Sequence, residues 1–323
     1  MVIEARGLRR VFGAVEAVRG VDLRVAAGEI VGLLGPNGAG KTTTLRMLTT
    51  LLRPTSGTAT IVGADLVSEP ALVRKRIGYV AQSSGTDPRC RVLDELVLQA
   101  SLYRVSRPRE RALSLCELLG LSSLARRPVG LLSGGQRRRL DIALGLVHSP
   151  GLLFLDEPSL GLDPPSRDEL WAYVRSLRDQ HATTVLLTTH YLDEADALCD
   201  RLLVMDHGEV VAAGESDVLK SGLSGDVITI QVTGADAAIL TALRDHEAVR
   251  SVAHDDAELR LTVHNGDRVL ADIVRLLDAA GLAPTSVDLR RPTLDDVFRA
   301  VTGHPLVDAG PERATLGREH THA

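Results

Sequence analysis

Short, continuous apolar runs alternate with amphipathic stretches through the first two thirds of the chain. A strand that is buried on both faces of a sheet is apolar at nearly every position. Such strands are predicted at Ile30–Leu34, Ile77–Val80, Leu152–Asp156 and 184–187. Apolar positions with helical spacing predict helices over residues 42–52, 93–103 and 109–119. Strands that alternate with helices in this way are typical of an α/β fold.

The pattern changes beyond about residue 222, where apolar and polar residues begin to alternate singly. This alternation predicts strands over residues 226–232, 258–263 and 286–289, and helical spacing predicts helices over 237–245 and 269–280. We therefore expect an α/β domain over residues 1–221 and a small α+β domain over 222–303. Residues 304–323 are rich in Pro, Gly, His and charge, and we expect them to form a mobile tail.

A glycine-rich segment follows the strand predicted at Ile30–Leu34. It reads Gly35-Pro-Asn-Gly-Ala-Gly-Lys-Thr42 and fits the G-x-x-x-x-G-K-[ST] pattern of a phosphate-binding loop, the Walker A motif. Its glycines let backbone N–H groups converge on phosphates at a helix N-terminus, where the helix dipole favours negative charge. We expect Lys41 to hold the β- and γ-phosphates and Thr42 to give its hydroxyl to Mg²⁺. The predicted nucleotide contacts here are Gly35, Pro36, Asn37, Gly38, Ala39, Gly40, Lys41, Thr42 and Thr43.

Two carboxylates stand at the end of the apolar run Leu152–Asp156. A buried parallel strand delivers the side chains at its carboxyl end to the ligand crevice of an α/β sheet. Asp156 is therefore predicted to hold Mg²⁺, directly or through water. Glu157 follows immediately and is placed to polarise a water in line with the γ-phosphate, so we interpret it as the catalytic base.

A second anion site is predicted at Leu132-Ser-Gly-Gly-Gln136. A Ser-Gly-Gly turn that opens a helix presents a hydroxyl, backbone N–H groups and the positive end of the helix dipole. These groups suit a γ-phosphate. The predicted nucleotide contacts of this segment are Ser133, Gly134, Gly135 and Gln136.

With these motifs in this order, roughly residues 2–220 resemble the ATP-binding subunit of an ABC transporter. Gln82 matches the family's Q-loop, Gly161-Leu-Asp163 its D-loop and His190 its H-loop. Phe12 stands where the family places an aromatic residue that stacks on adenine. The resemblance implies a P-loop NTPase of ABC type, in which a mixed-sheet core carries an α-helical subdomain at about residues 83–150. It also implies ATP hydrolysis, with ATP and Mg²⁺ as cofactors.

The resemblance further implies how the motifs act together. Two copies would close head to tail around two ATP molecules, each held between the Walker A loop of one copy and the Ser-Gly-Gly signature of the other. Asp163 would contact nucleotide across that interface, and His190 would sense or position the γ-phosphate. Gln82 would serve catalysis and the metal, and would hinge the helical subdomain. A separate transmembrane permease would dock on that subdomain.

Several of these residues also admit a purely structural interpretation. His190 could be a structural histidine at a strand end and Phe12 an ordinary core residue, although we favour the functional role for both. Arg137-Arg138-Arg139 is interpreted as the solvated face of a helix rather than a nucleic-acid patch. Trp171 is predicted to be a packing residue.

Composition narrows the class of protein. The net charge of −5 argues against a general nucleic-acid binder. No stretch of the sequence approaches the roughly 20 apolar residues that cross a bilayer, and no signal-peptide pattern is present. We therefore expect a cytoplasmic protein that is attached peripherally to the inner face of the membrane. Cys90, Cys116 and Cys199 lack metal-ligand spacing and are interpreted as core thiols in a reducing compartment.

Two further segments refine the resemblance. Pro292-Thr-Leu-Asp-Asp-Val-Phe298 and Arg138-Arg-Leu-Asp141 resemble segments of daunorubicin-resistance ABC ATPases. The implied function is ATP-driven export of a drug or antibiotic. Export of a lipid-linked or other endogenous hydrophobic molecule stays open, as does a soluble ABC ATPase outside transport. The small C-terminal domain could strengthen the dimer or serve regulation and partner docking.

Overall fold

The structure is a computed structural model that describes residues 1–83, 85–222, 225–232, 234–255, 258–264 and 266–306. Its strands, in chain order, are β1 Ile3–Phe12, β2 Val15–Val25, β3 Ile30–Leu34, β4 Ser56–Ile61, β5 Ala64–Asp65, β6 Ile77–Val80, β7 Leu152–Asp156, β8 Thr184–Thr189, β9 Arg201–Asp206, β10 Glu209–Gly214, β11 Asp226–Gln231, β12 Val249–Asp255, β13 Glu258–Val263 and β14 Ser286–Arg290. Its helices are α1 Lys41–Leu48, α2 Pro70–Arg76, α3 Val92–Leu102, α4 Pro108–Leu118, α5 Gly134–Gly145, α6 Pro164–His181, α7 Leu192–Leu198, α8 Ser216–Ser221, α9 Ala237–Arg244, α10 Gly266–Ala279 and α11 Leu294–Thr302. Within these described ranges, no helix has both the length and the apolar character that a membrane span needs.

A six-stranded sheet in the order β10-β9-β3-β8-β7-β6 forms the centre of the fold. The strands β3 and β6 to β9 are parallel, whereas β10 is antiparallel to β9, so the sheet is mixed. Every residue of β3, β7 and β8 is buried, because helices or the second sheet cover both faces. The predicted α/β fold is confirmed, and β8 extends two residues beyond the predicted segment.

A second, antiparallel sheet in the order β2-β1-β4-β5 covers one face of this core. Its inward side chains, such as Ile3 and Leu8, share an apolar cluster with Leu45 and Leu48 of α1. The hydrophobic pattern of the chain does not predict this sheet. Three register shifts interrupt the pairing of β1 with β2, and each one breaks the alternation of apolar and polar residues that marks a strand.

The helices α3, α4 and α5 form a subdomain around one apolar cluster that includes Leu96, Leu115 and Leu140. The bounds of α3 and α4 differ from the predicted ones by a single residue at each end. Helix α1 ends four residues earlier than predicted, because Thr50 adopts a φ of +64°, which right-handed helix cannot accommodate.

The C-terminal strands form their own antiparallel sheet in the order β12-β13-β11-β14. Helices α9 and α10 pack on it around Ile228, Leu261 and Ile273. The strand β12 is not predicted by the sequence analysis. Five of its seven residues are exposed and the other two are only partly buried, so no fully buried face imposes a regular alternation on its sequence.

Helix α11 packs on the first domain rather than on the sheet that precedes it. Val297 and Phe298 lie in one apolar cluster with Leu34 of β3 and Val204 of β9, and Leu306 is buried in the same cluster. The predicted mobile tail is therefore wrong for residues 304–306, because Leu306 fills a core position. The rest of that predicted tail, residues 307–323, lies outside the described residues.

Candidate nucleotide-binding site

The predicted site residues gather where the parallel strands of the central sheet end. Strand β3 leads into the Walker A loop, β7 ends at Asp156, and β8 is followed directly by His190. Gln82 stands two residues after β6, the outermost of these strands. Because parallel strands present their carboxyl ends at one edge, four separate segments of the chain meet there.

The Walker A loop is pressed so closely against its surroundings that its glycines are required. A Cβ atom on Gly35 would lie 2.2 Å from the carbonyl oxygen of Met205, and one on Gly40 would lie 2.6 Å from that of Ala17. Gly38 and Gly40 also adopt φ values of +84° and +96°, which L side chains disfavour. The loop can thus present its backbone N–H groups to an anion without side chains in the way.

Lys41 is buried within this loop. Its Nζ donates hydrogen bonds to the carbonyl oxygens of Gly35 at 2.7 Å and Pro36 at 2.9 Å. The same Nζ lies 3.7 Å from Glu157 Oε1. The ammonium group is therefore held over the mouth of the loop, next to the carboxylate that we interpret as the base.

Asp156 offers a vacant ligand atom at the end of β7. Its Oδ1 accepts hydrogen bonds from Thr42 Oγ1 at 2.9 Å and from Thr188 Oγ1 at 2.8 Å. Its Oδ2 is buried and has no hydrogen-bond partner among the described residues. Since a buried, unpartnered carboxylate oxygen is costly, and since hydroxyl and carboxylate oxygens are the ligands of Mg²⁺, these residues fit that ion.

Glu157 adopts an unusual backbone conformation directly after Asp156. Its φ is +44°, in the left-handed region that costs a non-glycine residue about 1–2 kcal/mol. The backbone N–H of Glu157 donates to Thr188 Oγ1 at 2.9 Å, which helps to hold this conformation. Its carboxylate lies 3.5 Å from Gln82 Nε2 and 3.3 Å from His190 Nδ1. The three residues predicted to be catalytic thus lie together.

The Ser-Gly-Gly signature forms a capped helix start. Ser133 Oγ accepts from the backbone N–H of Gln136 at 3.3 Å, and Gln136 Oε1 accepts from the backbone N–H of Ser133 at 3.1 Å. This reciprocal capping box fixes the first turn of α5. A Cβ on Gly135 would lie 2.9 Å from Ser166 Cβ on α6, so the turn packs closely on that helix.

Asp163 is the residue before the first turn of α6. A hydrogen bond from Ser166 lowers the pKa of its exposed carboxyl group, so it is ionised at neutral pH. Phe12 is exposed at the end of β1, with the Arg10 guanidinium 4.5 Å from its ring centroid. Its interpretation as an ordinary core residue is therefore excluded, and an exposed ring is free to stack on a base.

The interpretation of the arginine run as a solvated face is wrong for Arg138, which is only 6% exposed. Its guanidinium donates to three backbone carbonyl oxygens: Pro158 at 2.9 Å, Ala81 at 2.6 Å and Asp156 at 2.8 Å. Burial lowers the pKa of Arg138. The signal in the sequence is helical spacing, because Gly135, Arg138 and Ile142 share one buried face of α5.

A buried polar network below the site also escapes the sequence analysis. Trp171 Nε1 donates to Ser159 Oγ at 3.0 Å and to Glu194 Oε1 at 3.1 Å, and the Ser159 hydroxyl donates to the same Glu194 oxygen. Burial raises the pKa of Glu194, which has no exposed surface. Trp171 packs as predicted and in addition fixes the segment that follows Glu157.

Two family models match the chain: that of the ABC transporter over residues 18–160, and that of the C-terminal domain of DrrA1-3-like ATP-binding proteins over 214–302. The chain is 44% identical to the daunorubicin/doxorubicin resistance ATP-binding protein DrrA of Streptomyces peucetius, across 97% of this chain and 96% of the relative. The chain belongs to this family of ABC transporter ATP-binding proteins. It is therefore an ABC-type ATPase.

Other relatives of this ABC ATP-binding protein extend the comparison. It is 41% identical to the doxorubicin resistance ATP-binding protein DrrA of Mycobacterium tuberculosis strain H37Rv, across 94% of this chain and 95% of the relative. It is 38% identical to the Nod factor export ATP-binding protein I of Burkholderia orbicola, across 95% of this chain and 98% of the relative.

Solved ABC cassettes share the fold of the first domain. The dimeric post-hydrolysis state of the cassette MJ0796, bound to ADP and phosphate, is similar with a TM-score of 0.60 and 25% identity. The match covers 66% of this chain and 98% of that cassette. The ADP conformation of the cassette MJ1267 is similar with a TM-score of 0.61 and 26% identity, across 67% of this chain and 92% of that one.

Proposed function

We propose that this ABC ATPase powers the export of a drug or antibiotic through a separate transmembrane permease. The observation that carries the proposal is a hydrolytic site at the carboxyl ends of β3, β7 and β8 in a chain whose relatives are named for daunorubicin and doxorubicin resistance. The chain would lie in the cytoplasm, held to the inner face of the membrane by the permease.

The hydrolytic step rests on the surroundings of Glu157. Its carboxylate lies 3.7 Å from Lys41 Nζ and 3.3 Å from His190 Nδ1, so cationic and polar groups face it from both sides. We assign Glu157 as the base that takes a proton from the attacking water. His190 would position the γ-phosphate, and phosphate oxygens would replace the loop carbonyls as acceptors for Lys41.

Thr42, Asp156 and Gln82 would hold Mg²⁺. The hydroxyl, carboxylate and amide oxygens of these residues match the hard oxygen ligands that this ion prefers. When bound, Mg²⁺ neutralises charge that develops on the β- and γ-phosphate oxygens. The residues themselves would orient the nucleotide, since a 2.9 Å hydrogen bond joins Thr42 to Asp156.

We assign the remaining nucleotide contacts to both copies of a head-to-tail homodimer. Residues 35–43 would hold the phosphates and Phe12 the adenine of one ATP. Residues 133–136 and Asp163 of the second copy would complete the same site. The capped turn at Ser133 supports this role, since the first N–H groups of α5 have no partner within a helix. Hydrolysis would remove the γ-phosphate that joins the two copies.

The permease would dock in a groove of about 410 Å³ beside Gln82. The groove lies between the central sheet and the helical subdomain, and its lining includes Tyr79, Glu95, Tyr103 and His148. The imidazole of His148 stacks on the Tyr103 ring at a centroid distance of 4.0 Å, which stabilises one wall. A protein segment seated here would contact the residues next to Gln82 and could therefore respond to the nucleotide.

A second candidate cargo is a lipid-linked or other endogenous hydrophobic molecule. The Nod factor export relative favours it, because that protein is aligned over nearly the same length at 38% identity. The two candidates share the motor and differ only in what the permease carries. A soluble ABC ATPase outside transport is disfavoured, since these relatives are named for resistance or export.

The decisive experiment measures drug accumulation in sensitive bacteria that express this chain together with the membrane gene adjacent to its own. Wild type would be compared with Glu157→Gln, and with Glu169→Gln as a matched control on the exposed face of α6. Anthracyclines and other amphipathic antibiotics would serve as probes. We expect reduced accumulation with wild type and Glu169→Gln but not with Glu157→Gln.

The absence of protection against every compound, with ATPase activity intact, would contradict drug export and leave the second cargo class. Protection that survives Glu157→Gln would contradict the assignment of Glu157 as the base, because its carboxylate would then be dispensable for export.

A further inference from the structure

Three potential metal ligands meet where the end of the described chain touches the turn between β9 and β10. They are Asp206, His207 and His304, and one ligand atom of each lies within 4.8 Å of the others. Asp206 is buried, His304 is partly exposed and His207 is exposed. The cluster is separate from the proposed Mg²⁺ ligands Thr42, Asp156 and Gln82.

The ring of His304 faces two acceptors at once. Its Nδ1 lies 3.2 Å from the carbonyl oxygen of Pro305, and its Nε2 lies 3.1 Å from Asp206 Oδ2. A neutral imidazole carries one N–H and can donate to only one of these oxygens, whichever tautomer it adopts. In the other contact, the lone pair of the unprotonated ring nitrogen faces a lone pair of the oxygen, so a cation is needed between these two atoms. That cation is either a second proton or a metal ion.

The orientation of His304 suits the metal. A histidine that binds a metal through Nε2 commonly donates its Nδ1–H to a backbone carbonyl, which fixes the tautomer and turns the Nε2 lone pair toward the ion. The contact with Pro305 is of this kind. The ring is further held by an edge contact with Phe298, at a centroid distance of 5.4 Å.

His207 supplies the third ligand from a strained position. Its φ is +45° and that of Gly208 is +86°, as a two-residue hairpin turn with positive φ at both positions requires. Its Nε2 lies 3.8 Å from the same Asp206 Oδ2 that His304 approaches. In tetrahedral zinc sites, ligands at about 2.0–2.1 Å from the ion lie roughly 3.3 Å apart, so small side-chain shifts would close this set around one ion.

We propose that Asp206, His207 and His304 bind a divalent transition-metal ion of the zinc class. Two imidazoles and one carboxylate are typical ligands of such an ion, whereas Mg²⁺ and Ca²⁺ prefer oxygen alone. Three protein ligands leave a fourth position for water.

The ion fastens the C-terminal segment to the phosphate-binding loop. The N–H of Gly208, the residue after His207, donates to the carbonyl oxygen of Ala39 at 3.1 Å within the Walker A loop. On the other side of the cluster, His304 stands two residues after the end of α11, which packs on Leu34 at the base of the same loop. Metal binding thus stabilises the docked position of α11, whatever cargo the transporter carries.

The experiment titrates metal-free, full-length protein with Zn²⁺ by calorimetry and with Co²⁺ by visible absorption. The sequence also carries His320 and His322, so every protein tested would have both replaced by Asn to remove their own chelation. His207→Asn and His304→Asn are the test variants, and His181→Asn on exposed α6 is the matched control. Asn tolerates positive φ, so His207→Asn keeps the turn and separates ligand loss from misfolding.

We expect one Zn²⁺ per chain, a tetrahedral Co²⁺ spectrum and a midpoint of thermal unfolding that rises with Zn²⁺ concentration. Affinity should fall at least about tenfold in both test variants and stay unchanged in the control. A background protein that binds no Zn²⁺ would overturn the proposal, because the cluster would then be a protonated His–Asp contact. Undiminished binding in either test variant would overturn it too.

Discussion

Arg138 donates a hydrogen bond from Nη2 to the backbone carbonyl oxygen of Asp156 at 2.8 Å. Its other two hydrogen bonds reach Ala81, just before Gln82, and Pro158, just after Glu157. A single side chain on α5 therefore connects the segment before Gln82 with the backbone on both sides of Glu157, the proposed catalytic base. In the proposed dimer, the start of α5 contacts the ATP that is bound by the other copy. The guanidinium of Arg138 therefore links the helix that contacts one ATP to the backbone around Glu157 at the other.

We predict that Arg138→Lys lowers both stability and ATP turnover. A lysine ammonium cannot reach three carbonyl oxygens with the planar geometry of a guanidinium, so buried acceptors lose their donors. The free energy of unfolding should fall by about 2–4 kcal/mol in a urea titration. Turnover should fall even at temperatures where the variant is fully folded.

Arg137→Lys is the control for that variant, because within the described part of the chain the Arg137 side chain makes one hydrogen bond, to the carbonyl oxygen of Val129 at 3.1 Å. If Arg138→Lys and Arg137→Lys behave alike, the buried guanidinium does not connect the site as we argue.

We predict that Lys41→Ala abolishes tight nucleotide binding. Charge-assisted hydrogen bonds to phosphate contribute about 1.5–3 kcal/mol, so the dissociation constant for ATP should rise at least about tenfold. Calorimetry or a fluorescent ATP analogue measures this change. Lys75→Ala on α2, away from the loop, should bind ATP as wild type does. Unchanged affinity in Lys41→Ala would contradict the assignment of the phosphate-binding loop.

We predict that Glu157→Gln binds ATP but turns it over at least about a hundredfold more slowly, since a neutral amide cannot accept the proton of water. The side chains have the same shape, so the contacts with Gln82 and His190 are kept in part. The variant should accumulate an ATP-bound dimer, seen by size-exclusion chromatography with ATP but not with ADP. Glu169→Gln should show the same oligomeric state as wild type under each nucleotide condition. Persistent ATP turnover in Glu157→Gln would refute the choice of Glu157 as the base.

We predict that Glu194→Gln flattens the dependence of stability on pH. Burial raises the folded-state pKa of Glu194 above its ordinary value of 4.5, so the native protein binds more protons than the unfolded chain between those two values. Its contribution to stability is therefore complete below about pH 4.5 and is lost as pH rises through the folded-state pKa. The amide does not titrate.

Chemical denaturation from pH 4.5 upward measures this difference. The free energy of unfolding of Glu194→Gln, relative to wild type, should increase with pH and then level off. Glu209→Gln, at the exposed start of β10, is the matched surface control for the loss of a carboxylate. A difference between Glu194→Gln and wild type that does not change with pH would show that burial does not raise the pKa of Glu194.

Local sequence accounts for much of the site's geometry. Lys41, Asp156 and His190 each stand close to the end of an apolar run, and parallel strands necessarily bring such ends to one edge. Helices α3 and α4 of the helical subdomain are also predictable from local sequence, because helical spacing is a property of neighbouring residues. Among the strands that the pattern does not predict, β1, β2 and β12 lack that regularity, through register shifts in the first two and exposure in the third.

Contacts between distant segments could not be predicted in this way. Three consecutive arginines are typical of a solvated helix face, and only the meeting of carbonyls from Ala81, Asp156 and Pro158 makes burial of Arg138 favourable. Similarly, the apolar face of α11 fits either neighbouring domain by sequence. The packing of α11 on Leu34 and Val204 depends on an apolar surface of the first domain, and that surface exists only after the first domain has folded.

The packing of α11 also bears on how the chain matures during synthesis. The outer side of β3 and β9 is covered by residues that leave the ribosome roughly 100 residues after β9 itself, a delay of about 5–20 s at ordinary elongation rates. During that interval α11 is not yet available to cover Leu34, at the base of the phosphate-binding loop. The nucleotide-binding domain is therefore synthesised first, but its apolar core is complete only after α11 has been synthesised. A chain that ends before α11 would leave the cluster around Leu34 and Val204 incomplete.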